Sequence, residues 1–161
     1  MTVTYLQYKI GVGDNANAIR DFPARTGYID EIIKFAQGVD SKMNMKTWIP
    51  ADLSGTITAV ELLMAIDSDT ANNNSIWRLE RSYIADGEDL GAPTFTNESD
   101  SAAQTLPATA KLRKDTAALA FGSGYAKDDH IIFKLVRRGS VAGDNHLDWV
   151  RAHILGIRVT H

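Results

Sequence analysis

The chain has 161 residues, 44% of them hydrophobic, and a formal charge of −3 from 17 basic and 20 acidic side chains. That is enough apolar material for one domain to fold without metal or disulfide staples, and the absence of cysteine excludes a disulfide framework, thiolate metal sites and cysteine nucleophiles. So small a net charge gives no long-range attraction for nucleic acid or anionic lipid, and neither is an expected partner. Met1 to Ile10 lacks the basic start, apolar run and cleavage site of a secretory signal, and the longest apolar segment, Ala59 to Ile66, is interrupted by Glu61. The expectation is a complete product, starting at Met1, that is made and folded in the cytoplasm.

In chain order, Thr4 to Ile10 alternates Tyr5, Gln7 and Lys9 with Leu6, Tyr8 and Ile10, as a first strand would. Gly11 to Gly27 is rich in turn formers and has no clean period; it reads as an extended loop or arm, with a short helix at Asn15 to Asp21 as the alternative. Tyr28 to Gln37 fits helix or strand, and strand is favoured for Glu31 to Gln37 because a turn at Gly38 to Ser41 and an extended run, Lys42 to Ile49, follow. Pro50, Asp52 and Gly55 close that run. In Thr56 to Ile66, Val60, Leu62, Met64 and Ile66 form a core face.

After the polar turn Asp67 to Asn74, Ser75 to Ala85 places Trp77, Leu79 and Tyr83 on one face and Arg78, Glu80 and Ser82 on a face expected to meet water, with Arg81 unplaced. Asp86 to Pro93 is a loop. Thr94 to Pro107 is a small-residue strand or a mobile loop, and Leu112 to Phe121 is a strand. The clearest signal is Asp128 to Gly139. There Ile131, Phe133 and Leu135 share a face, Lys134 and Arg138 lie on the other beside Ile132 and Val136, and the pattern is that of a mostly buried strand near the middle of a sheet. His146 to Thr160 closes the chain with Leu155, Ile157 and Val159 as a core face. Some eight or nine strands without a defensible helix predict an all-β, two-sheet antiparallel β-sandwich, jelly-roll-like, with an extended N-terminal arm. Residues 1–39 form the first strand and arm, and residues 40–161 the sandwich domain.

Chemistry-bearing patterns are sparse. His146 with Asp144 and Asp148 is the nearest approach to a zinc set, but it lacks a metal-site spacing and reads as a surface turn leading into a strand. Asp67, Asp69 and Asn72 to Asn74 match a calcium loop in composition only. Gly11-Val-Gly-Asp-Asn-Ala lacks the third glycine of a dinucleotide fingerprint, and no nucleophile elbow or phosphate loop occurs. The expectation is a protein that is not an enzyme, with no cofactor and no metal. Of the three tryptophans, Trp77 reads as core, while Trp48 and Trp149 are candidates for a sugar-stacking surface.

One resemblance adds to this. Trp48-Ile-Pro-Ala-Asp, Thr56 to Ile66, Ser75-Ile-Trp-Arg-Leu, Ala85-Asp-Gly-Glu-Asp-Leu, a Thr-rich segment, Lys127-Asp-Asp-His-Ile-Ile-Phe-Lys-Leu-Val-Arg-Arg and a last Leu155-Gly-Ile-Arg-Val follow one another over Lys46 to His161. This order resembles a β-sandwich module of tailed bacteriophage virion proteins, with Asp128-Asp129 standing where that pattern often has Gly-Asp. The resemblance implies a capsid decoration (cement) protein on the capsid exterior, a dimer or trimer bound to the major capsid protein. The arm would then reach across shell subunits, with Tyr5, Tyr8, Arg20, Phe22 and Arg25 as contact candidates because aromatic and arginine side chains dominate interfaces. The rival implication is a receptor- or carbohydrate-binding tip of a tail fibre or appendage, using Trp48 or Trp149.

Overall fold

The computed structural model describes residues 3–6, 9–10, 18–21, 32–48, 55–66, 74–84, 87, 89, 94–97, 100–107, 114–115, 119–125 and 130–160. Every regular element among them is a strand: β1 (Val3–Leu6), β2 (Lys9–Ile10), β3 (Ala18–Asp21), β4 (Ile32–Phe35), β5 (Asp40–Trp48), β6 (Gly55–Ile66), β7 (Asn74–Ser75), β8 (Trp77–Ile84), β9 (Thr96–Asn97), β10 (Gln104–Thr105), β11 (Lys114–Asp115), β12 (Leu119–Tyr125), β13 (His130–Arg138) and β14 (Val150–Thr160). A seven-stranded sheet has the order β11-β6-β14-β4-β3, with β1 also on β14 and β12 also on β6. A five-stranded sheet has the order β2-β5-β13-β8-β9, and β10 pairs with β7 in a short ribbon. The molecule is a two-sheet antiparallel β-sandwich of jelly-roll-like form.

The strand that alternates most clearly in the sequence is the middle of its sheet. β13 pairs from His130↔Trp48 to Arg138↔Asp40 with β5, and from His130↔Ile84 to Arg137↔Trp77 with β8. Two partners satisfy its backbone groups on both sides, so its side chains can be apolar on both faces, and Phe133, Leu135 and Val136 are all buried. Facing the Phe133 side, the seven-stranded sheet contributes Ile33, Phe35, Met64, Ile66, Val150 and Ala152 to the core. Side chains of this kind stabilise by roughly 1.5–3 kcal/mol each when fully buried. Trp77 links the layers: its ring meets Phe35 edge-on, with centroids 4.9 Å apart and planes at 83°, and its indole N–H donates to Ser75 Oγ at 2.9 Å.

Several expectations are corrected here. The stretch Ala18–Asp21, read as part of an irregular arm or a short helix, is β3, paired with β4. Four residues are too few to show a period, and it is the partner that makes them a strand. The first predicted strand divides between sheets: β1 pairs with β14, and β2 pairs with β5. The described parts of the N-terminal segment are therefore laid along both sheets, and their backbone groups are used in pairing.

On β8, Glu80 and Ser82 are buried, contrary to the expected water-facing side, while Arg81 is half-exposed. Lys42 approaches Glu80 at 3.4 Å, β9 pairs along β8, and Phe95 lies 3.8 Å from the Lys134 ammonium, so this face is covered in part. The last strand begins at Val150, later than the predicted His146. A register shift between Ile154 and Gly156 changes its parity, so buried Val150 and Ala152 are at even positions ahead of the odd apolar set that begins at Leu155.

Two glycines after β13 respond differently to substitution. A Cβ on Gly139 would stand 2.5 Å from the Val39 carbonyl oxygen and 3.1 Å from its amide nitrogen, whereas one on Gly143 would meet the Ile76 Cδ1 methyl at 2.6 Å. Backbone cannot step aside as a methyl can. Gly139→Ala is expected to destabilise by about 1–3 kcal/mol and Gly143→Ala by less, as read from urea midpoints. Equal costs would contradict this ordering.

Candidate functional site

β13 ends with two arginines whose fates differ because adjacent strand residues face opposite ways. Arg138 stays near the surface, ion-paired with Asp40 and, at 3.3 Å, with Asp100, which also accepts from Arg78 at 2.6 Å. Arg137 continues the Phe133 and Leu135 face into the interior and is 0% exposed. Burying a guanidinium is costly unless its N–H groups and its charge are all answered. Here Nε and Nη2 grip the Asp144 carboxylate at 3.0 and 2.7 Å, a bidentate pair. Nη2 also donates to the His146 carbonyl at 2.7 Å, and Nη1 to the carbonyls of Phe35 and Ala36 at 3.2 Å each and of Asp148 at 2.9 Å. One side chain of the five-stranded sheet thus holds the end of β4, in the other sheet, together with the connection from β13 to β14.

That connection is also held by backbone. The Ile76 amide donates to Asp144 Oδ2 at 3.1 Å, and the Asn74 amide to Asn145 Oδ1 at 2.8 Å. The Asn74 carbonyl accepts from the amides of Asn145 and His146 at 3.1 and 3.3 Å. Ser140 donates its hydroxyl to Asp40 Oδ1 at 2.7 Å. The outcome is a fixed loop with an apolar tip. Leu147 is 81% exposed and Trp149 half-exposed, and Val39, 43% exposed, is on the adjoining turn between β4 and β5. Gly38 makes that turn with φ of 66°, a conformation that favours glycine.

His146 is 1% exposed. Its pKa is lowered from the ordinary 6.5, first by loss of hydration and next by the Arg137 charge, against the raising effects of a backbone hydrogen bond at Trp149 and of Asp148 and Asp144. The ring is therefore held neutral at pH 7. The surface position expected for Asp144 and His146 is corrected: both are buried, because Arg137 needs a carboxylate and carbonyls inside. The Asp144 carboxylate is committed to Arg137 and the Ile76 amide. Among the described residues, no three His, Cys, Asp or Glu side chains gather as a metal would require.

The other candidates are dispersed. Tyr5 is in β1, opposite Arg158, and Arg20 is in β3, opposite Ile33; both are in paired strands of the seven-stranded sheet, not on an arm standing clear of it. Tyr8, Phe22 and Arg25 lie outside the described residues, as does the Asp67 to Asn73 turn. Trp48 ends β5 opposite His130. Trp77 is core, as the alternation predicts. What sequence reasoning missed is Arg137. Its signal was present in the parity of Phe133 and Leu135, but a terminal Arg-Arg pair ordinarily marks a strand leaving the core.

No protein-family model matches the sequence, and no curated protein does. Among solved structures, the chain is similar to one described as TmCBM61 in complex with β-1,4-galactotriose, with a TM-score of 0.33 and 9% identity over 94% of this chain and 86% of that one.

Proposed function

We propose that this chain is a non-enzymatic structural protein of a tailed-phage virion, a head decoration protein that binds the assembled capsid from outside as a homo-oligomer. The virion assignment rests on the resemblance of the strand pattern over Lys46 to His161. The observation that carries the binding role is Leu147, 81% exposed on a loop that Arg137 fixes from beneath. An exposed apolar side chain on pre-ordered backbone docks without a further cost of ordering the loop. Binding only the assembled shell would stabilise that form by mass action.

The test is co-sedimentation of the purified protein with expanded, undecorated heads, with its mass in solution measured by light scattering. Saturable binding in fixed ratio to capsid subunits is expected, with Leu147→Asp weakening it by about tenfold or more, some 1.4 kcal/mol, at unchanged melting temperature. Failure of a folded oligomer to bind would remove the decoration reading. A receptor- or carbohydrate-binding tip is the second reading, favoured by the half-exposed Trp149 beside Asp148. It predicts glycan-array signals that Trp149→Ala abolishes.

A further inference from the structure

We propose that Asn145 to Trp149 is an acid-opened latch pivoting on the Arg137–Asp144 pair: a proton on the buried His146 ring turns that ring out to water and frees the segment carrying Leu147, with both sheets intact. The geometry is asymmetric in the way a latch needs. Asp144 is held by two N–H groups of Arg137 and by the Ile76 amide, contacts that do not involve His146. Beyond it the segment is held by backbone and amide groups and by Arg137. The Asn145 and His146 amides share the Asn74 carbonyl at 3.1 and 3.3 Å, Asn145 Oδ1 accepts from the Asn74 amide at 2.8 Å, and Arg137 reaches the His146 and Asp148 carbonyls only while the segment is folded inward.

Among the described residues, the charged groups facing the ring are Arg137 from β13, and Asp144 and Asp148 from its own loop, and the ring also has a backbone hydrogen bond at Trp149. From β7 comes the Asn74 carbonyl, which accepts from the His146 amide, and from the end of β4 come the Phe35 and Ala36 carbonyls, which accept from Arg137. Asp144 already neutralises Arg137. A protonated imidazole would therefore be a second buried cation beside the guanidinium, with Asp148, whose Oδ1 accepts from the Trp149 amide at 2.7 Å, as the further carboxylate near it among the described residues. Turning the ring outward rehydrates that charge at the cost of the Asn74 contacts, the Arg137 bonds to the His146 and Asp148 carbonyls, and the backbone hydrogen bond at Trp149. A neutral ring needs no such exit.

The direction with pH follows from linkage. The closed state binds the proton less readily than the open one, so the latch is fully closed above the ordinary pKa of 6.5, weakens as pH falls below it, and stops weakening once the ring titrates in place. Within that window one proton is taken up per opening, so the opening equilibrium rises by about tenfold per pH unit. The inference stands on the geometry and does not depend on the virion reading.

Hydrogen exchange of the intact protein by NMR, at about pH 7.5 and about pH 5 with intrinsic rates divided out, reads the latch directly. Protection of the Asn145 and His146 amides is expected to fall by about tenfold or more at the lower pH, while the Arg138 amide, bonded to the Ile76 carbonyl at 2.8 Å, keeps its protection. His146→Gln, neutral throughout, is expected to lose the pH dependence. Unchanged protection in the natural sequence, the same loss in His146→Gln, or a parallel loss at Arg138 would each overturn the latch. Should that variant not fold, the natural sequence decides alone: the His146 ring titration and the loss of amide protection must share a midpoint, and separate midpoints refute the coupling.

Discussion

Arg137→Ala is expected to lower the free energy of unfolding by about 3–5 kcal/mol, the range for breaking a buried ion pair by removing one partner. In a domain whose total stability is of order 5–15 kcal/mol, that is roughly a fifth of it or more. The size comes from what is left behind: Asp144 buried with its charge unanswered, and the carbonyls of Phe35, Ala36, His146 and Asp148 deprived of their donor. The paired replacement Arg137→Met with Asp144→Leu should recover part of the loss, since removing both charges removes the desolvation problem. Recovery stays incomplete because methionine cannot donate to four carbonyls. Urea denaturation at pH 7 with constant m-value measures both variants. An Arg137→Ala protein within about 1 kcal/mol of the natural one would show that the guanidinium gains no more than it costs.

Ending the chain after Ala152 is expected to abolish cooperative folding. β14 lies between β6 on one side and β4 and β1 on the other, pairing with β6 from Val150↔Ile66 to Thr160↔Thr56. The truncation deletes the register from His153↔Leu63 onward, takes from β1 its β14 partner, and opens the middle of the seven-stranded sheet. Exposed strand edges then face water or one another, and aggregation competes with folding. Far-ultraviolet circular dichroism with thermal melting is the measurement, and a soluble truncation that melts in one sharp transition would refute the strand's central place. Removing Met1 to Gly27 is not a clean excision of an arm, since it takes β1, β2 and β3 out of both sheets. Point changes at Leu147 or Trp149 therefore test binding more cleanly than truncation at either end.

Residue pattern alone determined the class of the fold and its long strands. Thr56 to Ile66 and Asp128 to Gly139 were legible because they pair on both sides, and a strand buried in this way carries its alternation and apolar content locally, whatever its neighbours are. The core role of Trp77 was legible for the same reason. Strands of two to four residues, such as Ala18–Asp21, were not, because so few positions carry no period and only the partner strand fixes them. The candidate site divides likewise. Sequence marked Trp149 as available for contact and drew His146 together with Asp144 and Asp148, but it placed them at the surface. The parity of Phe133 and Leu135 already pointed Arg137 inward, but tertiary structure alone decided that its charge stays in the interior, that it draws Asp144 and the His146 carbonyl in with it, and that Leu147 is carried outward. The physical reason is that local pattern records which face a side chain occupies, whereas the answer to a buried charge comes from groups outside its own strand, here the end of β4 and the loop after β13.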